Sequence, residues 1–249
     1  MTNICRALVC FLSISTGPAS AAEILVAAAS NLNGVCQELA RQFEKVSGIH
    51  VVHSFSSTGN LARQIENGGP FDVFASADTS HVSDLERKGF IVPGSQAVYA
   101  RGRLALWTRP GTSVKINSLN DLAEPWVRFI ALAQPDSAPY GAAAVETLRK
   151  LGLWEKVQPK LVYAENIGMA KQYAASGNTE AAFTAYSLVI KDGGKALLVD
   201  EKMHRPIEQA LGIVKRSKNP DAGRRYTQFL LSPAGVAILE AYGYLAPAR

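Results

Sequence analysis

Short apolar runs alternate along this chain with stretches whose apolar residues recur at helical spacing. Ile24 to Ala28 has the length and composition of a buried strand. Val35, Cys36, Leu39, Phe43 and Val46 then fall on one helical face. Val51 to Phe55 predicts a second strand, Leu61 to Ile65 belongs to a second helix, and Phe71 to Ala75 predicts a third strand. This β-α-β-α-β order argues for a parallel sheet with helices on its faces. The pattern restarts with strands at Arg103 to Thr108 and Phe129 to Ala133, followed by a helix from about Gly141 to Leu151 that stops at Gly152. Lys160 to Tyr163 predicts a strand, Ile167 to Ala175 a helix and Ala181 to Ala185 another strand. Two half-sized β/α units suit this order better than one sheet. No connecting stretch is rich in Pro, Gly or Ser, so strand-like crossings rather than a flexible tether should join them.

The C-terminal part reads as a return to the first unit. Ile207 to Val214 predicts a strand. Asn219-Pro220 opens a helix whose apolar face carries Tyr226, Phe229 and Leu230, and Ser232-Pro233 opens a last short helix ending at Gly243. The expected division is therefore 22–102 plus 206–249 for lobe I and 103–205 for lobe II.

At the N-terminus, Met1 to Arg6 is polar with one positive charge, Ala7 to Ile14 is apolar, and Ala19-Ser20-Ala21 supplies small residues. These are the regions of a secretory signal peptide, expected at 1–21 and cleaved after Ala21. The apolar run is too short to span a bilayer, which takes about 20 residues. Cleavage would remove Cys5 and Cys10 and leave Cys36 alone on an apolar helix face, where it reads as a packed core thiol. With Arg6 gone, 25 basic residues would stand against 21 acidic ones. They are scattered, with no stripe or aromatic interleaving, so nucleic acid is not an expected partner.

Enzyme motifs are missing. There is no H-E-x-x-H, C-x-x-C, G-x-S-x-G, phosphate-binding loop or dinucleotide fingerprint. His50 and His53 are oddly spaced in a predicted strand, on opposite faces, and should not share a metal. Asp72 and Asp78 flank a strand end and read as a cap or a structural pair. The informative signal lies in the strand-to-helix turns. Ala29-Ser30-Asn31 and Ser56-Ser57-Thr58-Gly59-Asn60 each join a strand to a helix with small hydroxyl residues. Pro139-Tyr140-Gly141 and Asn166-Ile167-Gly168 open two more helices after strand-like segments. Any one of these turns could be an ordinary N-cap. Together they could place four helix starts, with free N–H groups and positive dipole ends, around one anion site at the carboxyl ends of the strands.

The residues themselves resemble the periplasmic molybdate-binding proteins. The resemblance is carried by Ile24 to Asn31, by Ser54 to Ile65, by Asn67 to Asp78, by Pro139-Tyr140-Gly141, by Leu148 to Gly152 and by Ala164 to Ile167. It implies a two-lobed α/β periplasmic binding protein fold, each lobe a mainly parallel sheet flanked by helices, with the ligand in the cleft between lobes. It implies a site of neutral donors: the Ser30 hydroxyl and backbone, the Asn31 backbone, a hydroxyl from Ser57 or Thr58, backbone N–H groups of Tyr140 and Ile167, and Tyr186. No side chain would bind metal directly, because molybdenum would arrive as its oxyanion. No cofactor is implied. The partners would be molybdate or tungstate and an ABC permease with its ATPase, and the protein would act as a periplasmic monomer.

A donors-only site suits a fully deprotonated dianion, since a protonated phosphate brings an O–H that needs an acceptor. Sulfate could be rejected only by size, so a sulfate-type receptor is the nearest alternative. An organic-acid receptor would be expected to carry a guanidinium clamp, and Arg63 reads as lying past the site. A secreted enzyme using Asp72, Asp78 or Ser30 is the remaining alternative, with no identifiable base for Ser30.

Overall fold

The computed structural model describes residues 23–247, so the expected signal peptide at 1–21 lies outside the described residues. The strands form two five-stranded sheets. The first runs in the order β2 (His50–Ser56), β1 (Glu23–Ala29), β3 (Val73–Ala75), β10 (Ile207–Ile213) and β4 (Ala97–Gly102). The second runs β7 (Leu161–Ala164), β6 (Ile130–Ala133), β8 (Ala181–Ala185), β5 (Leu104–Thr108) and β9 (Lys195–Leu198).

The two sheets share one plan. In the first, β1 is parallel to β2 and β3, while β10 is antiparallel to both β3 and β4. In the second, β6 is parallel to β7 and β8, and β5 is antiparallel to β8 and β9. Four strands of each sheet thus run one way and the fourth in order is reversed. That reversed strand is the one the chain enters on arriving from the other lobe. The first crossing is a single residue, Arg103, between β4 and β5; the second is the stretch Val199 to Pro206, with a 3-10 turn at Glu201–Met203.

Both faces of the first sheet are covered. Along β1, Ile24, Val26 and Ala28 join one buried cluster, while Leu25 and Ala27 face another. The first cluster is closed by α1 (Asn33–Ser47), α7 (Pro220–Leu231) and α8 (Pro233–Ala241), which supply Val35, Leu39, Phe43, Tyr226, Leu230 and Leu239. The second is closed by α2 (Thr58–Glu66) and α3 (Ser80–Arg87), through Leu61, Ile65, Val82 and Leu85. Each fully buried aliphatic of this size contributes about 1.5–3 kcal/mol. In the second lobe, α4 (Pro139–Lys150), α5 (Trp154–Val157) and α6 (Ile167–Ala175) pack on the sheet around Leu132, Leu148, Val157 and Phe183.

Among the described helices and strands, β4, α3, α5 and β9 go beyond the pattern of the sequence. Val46 departs from it. Its helical angle puts it on the apolar stripe of α1, yet it is 70% exposed. Cys36 is buried, and burial pushes its thiol well above the usual range. Asp72 accepts from the Leu25 N–H at 2.9 Å and the Ser217 hydroxyl at 2.6 Å, fastening the start of α7 to β1. Asp78 accepts from the His81 N–H at 3.0 Å and its ring Nδ1 at 2.7 Å, opening α3.

Candidate functional site

Strand register decides where the site forms. Ala29 of β1 pairs with Ser56 of β2, so both strands end at one level. The chain leaves β1 into a 3-10 turn, Ser30–Leu32, and leaves β2 into α2 with Ser57 as its N-cap. From the second lobe come the starts of α4, with Ala138 as N-cap, and of α6, with Asn166 as N-cap. These four starts meet around a small cavity of about 10 Å³ lined by Ala29 to Asn31, Ser56 to Thr58, Ala77, Ala138 to Tyr140 and Ile167. Among the described residues, none that lines it is charged. Helix N-termini leave N–H groups without helical acceptors and present the positive end of the dipole, so the polarity of this wall comes from backbone and hydroxyl groups.

The N-cap residues do different jobs. Asn166 accepts a hydrogen bond from the Met169 N–H at 3.0 Å, capping its own helix. Ser57 makes no such bond. Its Oγ is buried and has no partner among the described residues. A capping serine is worth about 1 kcal/mol, and a buried polar group left unpaired costs about 1–3 kcal/mol. Ser57 forgoes the first and bears the second, which is the arrangement a ligand acceptor would relieve.

The other residues singled out from the sequence fall as follows. Ser30 is buried, and its Oγ accepts from the Gly168 N–H across the cleft at 3.4 Å, leaving the hydroxyl hydrogen to donate. Thr58 is buried, and its Oγ1 accepts from the Ala77 N–H at 3.1 Å. The Asn31 amide turns into lobe I: Nδ2 donates to Gln209 Oε1 at 2.8 Å and to the Tyr244 hydroxyl at 2.9 Å, while Oδ1 is buried without a partner among the described residues. Its backbone oxygen accepts from Ser187 Oγ and from Tyr244, each at 2.9 Å. Tyr140 buries its ring, and its hydroxyl accepts from Gln209 Nε2 at 2.8 Å; burial pushes the phenol well above its ordinary range, so it is neutral. Ile167 opens α6 and packs in the lobe II core. Tyr186 does not line the cavity. The Arg103 guanidinium sits 5.1 Å from its ring centroid, and Gly243 leaves the room its ring occupies. Arg63 is exposed and outside the lining.

Contacts across the cleft close it around this cavity. The Gly59 N–H donates to the Ser137 carbonyl at 2.9 Å. Glu165 Oε1 accepts from Asn60 Nδ2 at 3.0 Å and from Ser56 Oγ at 3.4 Å. Ser137, Glu165 and Gln209 were not singled out by sequence reasoning. Gln209 had a faint signal, as the amide within the otherwise mostly apolar run of β10; Ser137 had none.

Residues 24–245 match the family described as bacterial extracellular solute-binding protein. A molybdate-binding protein of Rhodobacter capsulatus is 37% identical over 229 residues, covering 92% of this chain and 90% of its own length. One of Azotobacter vinelandii is 39% identical over 231 residues, covering 91% of each. The solved structure of the Azotobacter vinelandii periplasmic molybdate-binding protein superposes with a TM-score of 0.84 at 34% identity, over 91% of this chain and all of that one.

Proposed function

This chain belongs to the bacterial extracellular solute-binding protein family, and we propose that it is a periplasmic receptor that captures molybdate for an ABC importer. It is a binding protein of transport and not an enzyme, and it uses no cofactor. The observation that carries the reading is the uncharged cavity where helix starts from both lobes meet around an unpartnered serine hydroxyl. Ser57 would donate its hydroxyl to the anion, Ser30 its hydroxyl and backbone, and Asn31, Thr58, Tyr140 and Ile167 their N–H groups. Tyr186 would act only at a distance, through packing. Hydrogen bonds to an ionised acceptor are roughly twice as strong as neutral ones, and burial of the cavity keeps water from competing.

Capture would proceed by closure of lobe I (22–102 plus 206–249) on lobe II (103–205) about the two crossings, because the anion contacts both lobes only in the closed form. Tungstate, of nearly the same size and charge, would enter the same site. The segment 1–21 would be removed after Ala21, and the mature protein would work as a monomer that docks on its permease when loaded.

Thermal melts with molybdate, tungstate, sulfate and phosphate test this directly. A ligand at 100 times its Kd adds about 2.7 kcal/mol to stability. Shifts with molybdate and tungstate alone support the assignment. A shift with sulfate alone keeps the fold and changes the cargo, and no shift with any of the four removes the oxyanion reading.

A further inference from the structure

We propose that Gln209 is a positioning residue that couples the two anion-binding lobes to closure of the cleft. The inference rests on the oxyanion reading of the cavity and goes beyond it, since Gln209 does not line the cavity.

Gln209 is fully buried on β10, between strands of lobe I, where a primary amide is costly unless every polar atom is paired. It is paired three ways. Its Oε1 accepts from Asn31 Nδ2 at 2.8 Å and its Nε2 donates to the Tyr140 hydroxyl at 2.8 Å. The one hydrogen of the Tyr99 hydroxyl is shared between Gln209 Oε1 at 2.9 Å and the Ser76 carbonyl at 3.0 Å. Asn31 and Tyr140 are the two ends that matter. Asn31 belongs to the anion loop of lobe I, and Tyr140 to the first turn of α4 in lobe II. One buried amide therefore holds an anion-binding residue of each lobe.

The backbone nearby is shaped for this seat. A Cβ on Gly102, the last residue of β4, would lie 2.0 Å from the Tyr140 hydroxyl oxygen and 2.4 Å from Gln209 Nε2. Gly102 does not have the positive φ that would itself demand glycine, so the requirement is space for the tyrosine tip. When the lobes part, Tyr140 leaves Gln209. When the anion draws in the Tyr140 N–H and the Asn31 loop together, the network is completed. The bond is then made on closure, and its contribution belongs to anion affinity rather than to the stability of the ligand-free protein.

A double-mutant cycle on the full mature chain tests this, with Gln209→Met and Tyr140→Phe, which removes the hydroxyl and keeps the backbone N–H. Molybdate affinity is read by calorimetry and ligand-free stability by thermal melt. Each single variant should lose about fivefold to tenfold in affinity, the worth of one neutral hydrogen bond. The double variant should be no weaker than the weaker single, and the ligand-free melts should show no coupling. Gly102→Ala, whose Cβ crowds Gln209 within lobe I as well as the Tyr140 tip, should lower the ligand-free melt and also lose more than tenfold in affinity. Additive affinity losses, or coupling that appears in the ligand-free melts instead, overturn the role of Gln209 and leave the anion site standing. If Gln209→Met does not fold, undiminished affinity in Tyr140→Phe overturns it alone. Parent protein that gives no heat with molybdate, tungstate or sulfate overturns the oxyanion reading, and this inference with it.

Discussion

The Ala77 N–H donates to Thr58 Oγ1 at 3.1 Å, tying the start of α2 to the segment that follows β3. Ser57, one residue earlier, has no such tie, so two neighbouring hydroxyls carry different burdens. Ser57→Ala should lower molybdate affinity about tenfold or more, the scale of a hydrogen bond to a charged acceptor, with the ligand-free melt unchanged or slightly raised. Thr58→Val leaves the Ala77 N–H buried without its acceptor and should cost about 1–3 kcal/mol in denaturant unfolding. Calorimetry and denaturation on both variants check the division. An affinity loss confined to Thr58→Val would reverse it.

Glu165 closes the rim by accepting from Asn60 and Ser56 of the opposite lobe, and it also places a carboxylate near an anion site. Two substitutions separate these effects. Glu165→Gln keeps an acceptor and removes the charge, so molybdate affinity should rise at low salt, with the gain fading as ionic strength increases. Glu165→Ala removes the clasp as well and should speed release about twofold to fivefold, the scale of an exposed polar pair. Stopped-flow release at two salt concentrations distinguishes them.

Gly59 and Gly141 should fail in different ways when changed to alanine. A Cβ at Gly59 would lie 3.1 Å from the Ser137 Cα of the opposite lobe, so the clash exists only when the cleft is shut. Gly59→Ala should weaken anion binding and leave the ligand-free melt near the parent value. A Cβ at Gly141 would lie 2.1 Å from the Ala133 carbonyl oxygen within lobe II. Gly141→Ala should lower the ligand-free melt itself, by the roughly 1–3 kcal/mol of core overpacking.

Acid should destabilise the protein through His53. Burial holds its ring at about 4, with the Glu44 carboxylate opposing only in part. The unfolded chain takes up this proton near the ordinary value of about 6.5. Between those values the unfolded state binds more protons, so stability is constant above about pH 6.5 and falls as pH drops toward 4, by up to about 3 kcal/mol. His53→Phe should flatten that slope in melts taken from pH 7 to 4. His81 works with the opposite sign. The Asp78 carboxylate raises its affinity for a proton despite burial, so its contribution is full below about pH 6.5 and is lost as pH rises through the raised value. His81→Asn should therefore leave the slope below pH 6.5 unchanged and remove the fall in stability as pH rises above it.

Much of this architecture can be read from periodicity and punctuation. The bounds of α6 and β8 coincide with the pattern, because Asn166 caps the first turn of α6 and Gly177 marks the break before β8. The strand-to-helix turns carrying Ser30 and Ser57 are visible as small hydroxyl residues between a strand and a helix. Others are hidden for physical reasons. The strand β4 mixes Tyr99 and Arg101 into a short run and owes its place to β10, more than a hundred residues later. The strand β9 is a four-residue edge. A serine that caps its helix and one that leaves its hydroxyl free look alike in sequence, so only geometry tells Ser57 from an ordinary cap. The partners of Gln209 come from Asn31, Tyr99 and Tyr140, and no local pattern joins them.

The reversed strand of the first sheet has a consequence for how the chain is made. β3 and β4 do not touch in the sheet; β10 lies between them and is synthesised about a hundred residues after β4. Lobe I therefore cannot complete its sheet until nearly the whole polypeptide has emerged, whereas β5 to β9 are contiguous and can assemble first. Long-range pairing of this kind is slow to form. A chain threaded through a secretion channel from its N-terminus would keep the first sheet open between β3 and β4 during transit, which suits a route that accepts only unfolded polypeptide. Pulse-labelled hydrogen exchange during refolding should protect Leu106, Leu132 and Phe183 before Val26, Phe74 and Leu211.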